Sequence, residues 1–112
     1  MRNERTGVSI ATHLETAFES ASRNRGLLGR TALPPGHALI IAPSNMVHTF
    51  FMRFPIDLIF VARSGDILKI RTRVRSRRIV GSLRAFAVIE LAAGALEESG
   101  TRAGDRVILV AA

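Results

Sequence analysis

Two sets of residues in this 112-residue chain have types and spacing that could do chemistry. The first is a run of alternating cations, Lys69, Arg71, Arg73, Arg75 and Arg77, interleaved with Leu68, Ile70, Thr72 and Val74. Successive strand side chains point to opposite faces, so this spacing predicts an apolar face toward the core and a basic row outward. Alternate residues stand about 6.7 Å apart, and the row would extend over roughly 27 Å. Arginine grips phosphate or carboxylate with two parallel hydrogen bonds, which makes the row the first candidate for ligand binding. A plainer reading is that exposed cations keep a strand edge from pairing with another chain. Trp and Tyr are absent, so a nucleic-acid partner would be held by its backbone charge rather than by stacking on its bases.

The second set is carboxylates inside apolar runs. Asp57 sits in Pro55-Ile56-Asp57-Leu58-Ile59-Phe60, and Glu90 in Phe86-Ala87-Val88-Ile89-Glu90-Leu91. A strand that is apolar on both faces is buried on both, and a lone carboxylate there must find donors. These could be backbone amides of the turn that Pro55 enforces, or the guanidinium of Arg53, Arg23 or Arg30. If His48, Asp57 and Glu90 met in one pocket with Arg53 or Arg23, they would offer an acid/base pair and a clamp for an anionic or polyhydroxyl substrate. The competing reading is that each carboxylate is structural, saturated by strand ends or by arginine.

Composition excludes other chemistries. Cysteine is absent, which removes disulfides, thiolate nucleophiles and thiolate metal sites together. His13, His37 and His48 are far apart in sequence and no His-Glu-x-x-His, phosphate-loop or Gly-x-Ser-x-Gly pattern occurs, so no metal and no cofactor are expected. The net charge is +7, which favours an anionic partner, nucleic acid or another polyanion, in weak and salt-dependent contact. Arg53, Arg63 and Lys69 interrupt the most apolar region, so no membrane span is expected. The start, Met1 to Gly7, lacks the apolar segment of a secretory signal, and the expected address is cytoplasmic.

The elements that must position these groups are short. Leu14, Ala17, Phe18 and Ala21 fall at i, i+3, i+4, i+7 and predict one N-terminal helix, ending near Arg23, Arg25 and Gly26 or Gly29. Pro34-Pro35-Gly36 stops it. Strands are predicted over 37–42, 46–52, 56–62, 67–77, 85–91 and 106–110. Arg63-Ser64-Gly65-Asp66 is a hairpin signal, and Pro43-Ser44-Asn45 a turn that would pair its two neighbours. Successive strands without intervening helices predict a mainly β fold, an antiparallel sandwich or barrel with one helix, in a single domain over 1–112.

Certain residues in order resemble a known family. They are Arg23-x-x-Gly26-Leu27-Leu28-x-Arg30, His48-Thr49, Pro55-Ile56-Asp57-Leu58-Ile59-Phe60, Ile89-Glu90-Leu91-Ala92-Ala93-Gly94 and Gly104-Asp105. Together they are similar to the uncharacterised family called domain of unknown function 192 over roughly residues 10–110. The resemblance implies a small, mainly β, sandwich-like domain and assigns no activity. Arg23, Arg30, Asp57, Glu90, Gly94 and Asp105 match the family's polar and glycine positions, whereas His48 stands where many members have tryptophan and Ala92 where they have proline. The expected function is therefore a small non-catalytic module that binds an anionic partner through Lys69, Arg71, Arg73, Arg75 and Arg77. The alternative is an enzyme or small-ligand pocket around His48, Arg53, Asp57 and Glu90.

Overall fold

The computed structural model describes residues 1–109. In chain order the elements are β1 (Arg2–Asn3), β2 (His13–Ala17), α1 (Ser20–Arg25), β3 (His37–Ile41), β4 (Met46–His48), β5 (Ile56–Val61), β6 (Ile67–Val74), β7 (Ile79–Gly81), β8 (Ala87–Ala92), α2 (Ala95–Ser99) and β9 (Val107–Ile108). The main sheet runs in the order β2-β3-β8-β5-β6, while β1 pairs with β9 and β4 with β7 in separate ribbons. Only β2 and β3 run parallel among these pairs.

Every residue of β5 is buried, which accounts for its near-continuous apolar sequence. Alternation along β5 and β8 feeds two apolar clusters, one on each face of the sheet. Ile59, Val61, Ile89 and Leu91 meet Met1 and Leu96 on one face. Ile56, Leu58, Phe60 and Val88 meet Leu27 and Val74 on the other, where Val47 and Val80 of the β4–β7 ribbon pack down on them. The fold is thus mainly β, a mixed sheet covered on both sides. Its five-strand order is open, so it is no closed barrel.

Several elements differ from the sequence-based expectation. The stripe Leu14, Ala17, Phe18 and Ala21 does not form one helix. Residues 13–17 lie along β3 instead, from His13 opposite His37 to Ala17 opposite Ile41, and the two imidazoles stack at 4.6 Å. A short helix has little stability of its own, and the edge of β3 supplies backbone partners that outweigh the helical period. Only the end of the expected helix is helical: α1 closes with Arg23 and Arg25 in its last turn and Gly26 at φ 49°. A second helix, α2, follows β8, so two short helices accompany the sheet rather than one. Pro43-Ser44-Asn45 does not pair its neighbours, since β3 pairs with β2 and β8, and β4 with β7. The hairpin at 63–66 does join β5 to β6, with Gly65 at φ +91° and so close to the Val107 carbonyl oxygen that a Cβ there would clash with it; only glycine fits that approach. The last predicted strand is reduced to Val107–Ile108, and Val110 lies outside the described residues.

Asp57 is fully buried, and it is not held by the Pro55 turn or by Arg53, Arg23 or Arg30. Its Oδ1 accepts from the Arg73 amide at 2.9 Å. Its Oδ2 accepts from the Gly94 amide at 3.1 Å and the Leu96 amide at 3.0 Å. Arg73 has φ 50° beside a register shift between β5 and β6, so the carboxylate supplies the acceptor that the broken ladder lacks there. It also caps α2, whose own N-cap position is a glycine with no side chain. Asp57→Ala removes the acceptor of three backbone amides, one buried and two partly buried, and is expected to lower the unfolding free energy by about 3 kcal/mol, with Asp57→Asn falling between it and wild type. Urea denaturation followed by circular dichroism checks this; a wild-type midpoint for Asp57→Ala would show that those amides find other partners.

Candidate functional site

Glu90 lies directly opposite Leu58 on β5 and Leu39 on β3, so its side chain falls on the face that α1 and the β4–β7 ribbon cover. Asp57 is opposite Leu91 and therefore faces the other way. The two carboxylates sit in adjacent strands of one sheet and on opposite sides of it.

On the Glu90 side the cover is incomplete and leaves a cavity of about 480 Å³. The end of α1 and the turn after it form one wall, with Arg23, Asn24, Arg25 and Gly26. Met46, His48 and Ile79 of the ribbon form the opposite wall, and Ile41, Leu27 and Glu90 lie below. Gly26 passes close to the carboxylate, since a Cβ at this position would stand 3.5 Å from Glu90 Oε1.

Glu90 is 4% exposed, and its Oε1 has no hydrogen-bond partner among the described residues. Burial pushes the carboxyl up to about 7, against a smaller downward pull from Arg30. The two nearby arginines among the candidate donors are bonded elsewhere. Arg30 gives its guanidinium to Glu15, with bonds of 2.7 and 3.1 Å. Arg23 donates to the Phe18 carbonyl and, at 3.2 Å, to the Ser20 hydroxyl. A buried oxygen without a donor is costly to the fold, and here it faces a cavity.

The residues singled out from sequence divide accordingly. His48 and Glu90 share the cavity, while Arg53 and Asp57 do not line it. The four-residue pocket of His48, Arg53, Asp57 and Glu90 therefore does not form, because strand alternation separates its two carboxylates. Asp105 is a tie between the chain ends: it accepts from Asn3 Nδ2 at 2.9 Å, Arg5 Nε at 2.6 Å and the Arg102 amide at 3.0 Å. The Arg5 guanidinium holds it well below the usual carboxylate range. Gly94 serves as the left-handed N-cap of α2.

The five-cation row does not form on one strand face either. Lys69 and Arg71 lie opposite Phe60 and Leu58, and Lys69 Nζ is engaged by the Gly81 carbonyl oxygen at 2.6 Å. Arg73 sits at the irregularity and meets Glu97 at 3.3 Å. Strand β6 stops at Val74, which puts Arg75 and Arg77 in the following loop, Arg77 at φ 66°. Register shifts at both ends of the β5–β6 pair break the period, because a slip of one residue exchanges the two faces. Leu68, expected inside, is exposed.

The cavity walls escape sequence reasoning almost entirely. Asn24, Met46 and Ile79 carry no local signal, since they meet Glu90 only through the β4–β7 pairing. The members legible in the sequence are Glu90, His48 and Arg23.

A pH dependence follows from Glu90. Its folded pKa, about 7, lies above the ordinary 4.5, so as pH rises the unfolded chain ionises first and native stability falls between those two values. Relative to Glu90→Gln, wild type is expected to lose on the order of 3 kcal/mol of unfolding free energy across that window. Urea denaturation of both proteins at several pH values checks it; a pH-independent difference would place the carboxyl in ordinary solvent.

Comparison with known proteins agrees with this architecture. A Sinorhizobium meliloti 1021 protein, described as a proposed transcription regulator, has a solved structure with a TM-score of 0.76 and 27% identity, covering 83% of this chain and 78% of that one. A Novosphingobium aromaticivorans DSM 12444 protein of unknown function shares the fold with a TM-score of 0.77 and 24% identity, covering 86% of this chain and 74% of that one. No curated protein matches the sequence. The model of the uncharacterised family called domain of unknown function 192 matches residues 1–109, and the chain belongs to that family.

Proposed function

We propose that this protein binds a small ligand in the Glu90 cavity. The carrying observation is the buried Glu90 Oε1, unpartnered among the described residues, at the base of a space of about 480 Å³. Clefts of this size with apolar walls and a few convergent polar groups are the usual form of small-molecule sites. Leu27, Ile41 and Met52 offer apolar contact, while Arg23, Arg25 and His48 add basic groups and Glu90 an acidic one. This set suits a ligand with a hydrogen-bond donor at its buried end and a polar or anionic group toward the arginines. A hydroxyl or amine reaching Glu90 would supply the partner that the fold withholds.

Binding of nucleic acid or another polyanion through the strand cations has weaker support. It rests on the net charge of +7 and on the description of the Sinorhizobium meliloti protein. Against it, Lys69 and Arg73 are already engaged within the fold.

Dye-monitored thermal unfolding against a panel of small polyols, amino acids and hydroxy acids tests the pocket. A ligand at about 100 times its Kd raises the unfolding free energy by about 2.7 kcal/mol. Panel members are expected to stabilise wild type at pH 7 and to lose that effect in Glu90→Gln. Stabilisation of both proteins alike, or of neither by any of the three classes, would contradict the reading.

A further inference from the structure

One edge of the molecule exposes large apolar side chains. In the β4–β7 ribbon His48 is opposite Ile79 and Met46 opposite Gly81, so Met46, His48 and Ile79 share the outward face while Val47 and Val80 face the core. Met46 and Ile79 are 60% and 65% exposed. Phe50 follows, its ring 5.9 Å from that of His48, and then Phe51, 85% exposed. At the other end of the ribbon stands Leu83, 95% exposed, where its carbonyl oxygen meets Asn45 Nδ2.

The backbone at one end of the ribbon is held by hydrogen bonds. Thr49, fully buried, joins the two loops at the ribbon's end. Its amide donates to the Arg78 carbonyl at 2.8 Å, its carbonyl accepts from the Arg77 amide at 3.3 Å, and its hydroxyl accepts from the Arg78 amide at 2.9 Å while donating to the Arg75 carbonyl. Both Phe51 and Arg77 have φ 66°, a left-handed backbone that costs free energy in such residues. Thr49 thus ties the loop that carries Phe50 and Phe51 to the loop that carries Arg75, Arg77 and Arg78. Arg53 follows Phe51 by two residues and Arg84 is next to Leu83, and all five arginines are exposed. None of them forms an ion pair among the described residues.

We propose that this edge docks on an anionic membrane surface, with Phe51 and its apolar neighbours entering the interface and the arginines meeting lipid phosphates. Exposed apolar groups flanked by cations are what interfacial binding requires. A second copy of the chain is a poor occupant, because both copies carry +7. A nucleic acid could meet the arginines and stack on Phe51, but it has no use for the aliphatic surface of Met46, Ile79 and Leu83. Phe51 and Leu83, almost wholly exposed, protrude as tips, which suit a deformable medium better than a preformed protein pocket. Met46, His48 and Ile79 belong both to this edge and to the cavity wall, but Phe51, Arg77 and Arg78 do not line the Glu90 cavity, so variants at those three test the surface apart from the ligand pocket.

Co-sedimentation with vesicles tests the proposal, comparing phosphatidylcholine alone with phosphatidylcholine containing one third phosphatidylglycerol. Wild type is expected to pellet with the anionic vesicles and not with the neutral ones, and to be released as salt rises from about 0.1 M to about 1 M. Arg77→Asn with Arg78→Gln should weaken binding on the order of 30-fold. Phe51→Asn, in a backbone conformation that asparagine tolerates, should weaken it on the order of tenfold. Thermal unfolding of each variant establishes that it is folded. Equal binding to both vesicle types, no vesicle binding, or folded variants that bind as wild type would overturn the proposal. So would capture of labelled single-stranded RNA or duplex DNA by wild type in the absence of vesicle binding, which would assign the arginines to nucleic acid.

Discussion

A carboxylate taken out of water must be given hydrogen-bond donors, and the middle of this sheet contains two such groups in neighbouring strands. Asp57 and Glu90 are one step apart in the β5–β8 register, so alternation sends them to opposite faces. On its face Asp57 receives three backbone amides. Those bonds hold the irregular end of β6 against β5 and fix where α2 begins. The cover over that side of the core, with Leu96 inserted in it, depends on this one side chain.

The other face is built differently. The end of α1 bends away at Gly26, and the β4–β7 ribbon reaches across from the far side, leaving Glu90 between them. Nearby arginines are committed to Glu15, to the Phe18 carbonyl and to Ser20. A fold that saturates one buried carboxylate completely and leaves the other facing a cavity treats the two differently, and the proposed ligand site rests on that asymmetry. Burial of a polar atom without a partner is tolerated most readily where a ligand can complete it.

The sequence carried the strands and the carboxylates better than it carried their company. Apolar runs located β3, β5 and β8, and the cost of burying charge marked Asp57 and Glu90 as residues needing donors. What was illegible depended on pairing across long sequence separations. The stripe from Leu14 to Ala21 has a helical period, yet β3 draws residues 13–17 into the sheet. The alternation from Lys69 to Arg77 reads as one strand, but β6 ends at Val74 and register shifts spoil its faces. Donors for Asp57 come from Arg73, Gly94 and Leu96, residues that no local pattern connects with it. The family resemblance located the same polar positions without their roles: Asp105 joins the chain ends, Arg30 pairs with Glu15, and Glu90 opens on a cavity.

Carboxyl-carbon NMR of the folded wild-type protein, with the Glu90 resonance identified by its loss in Glu90→Gln, measures the state of this group directly. A titration midpoint near 7 in place of the ordinary 4.5 is the expected result, that of a carboxyl buried without a donor at the base of the cavity. A midpoint at or below the ordinary value would mean that Glu90 is solvated or hydrogen-bonded, and would contradict the account of the cavity as a ligand site.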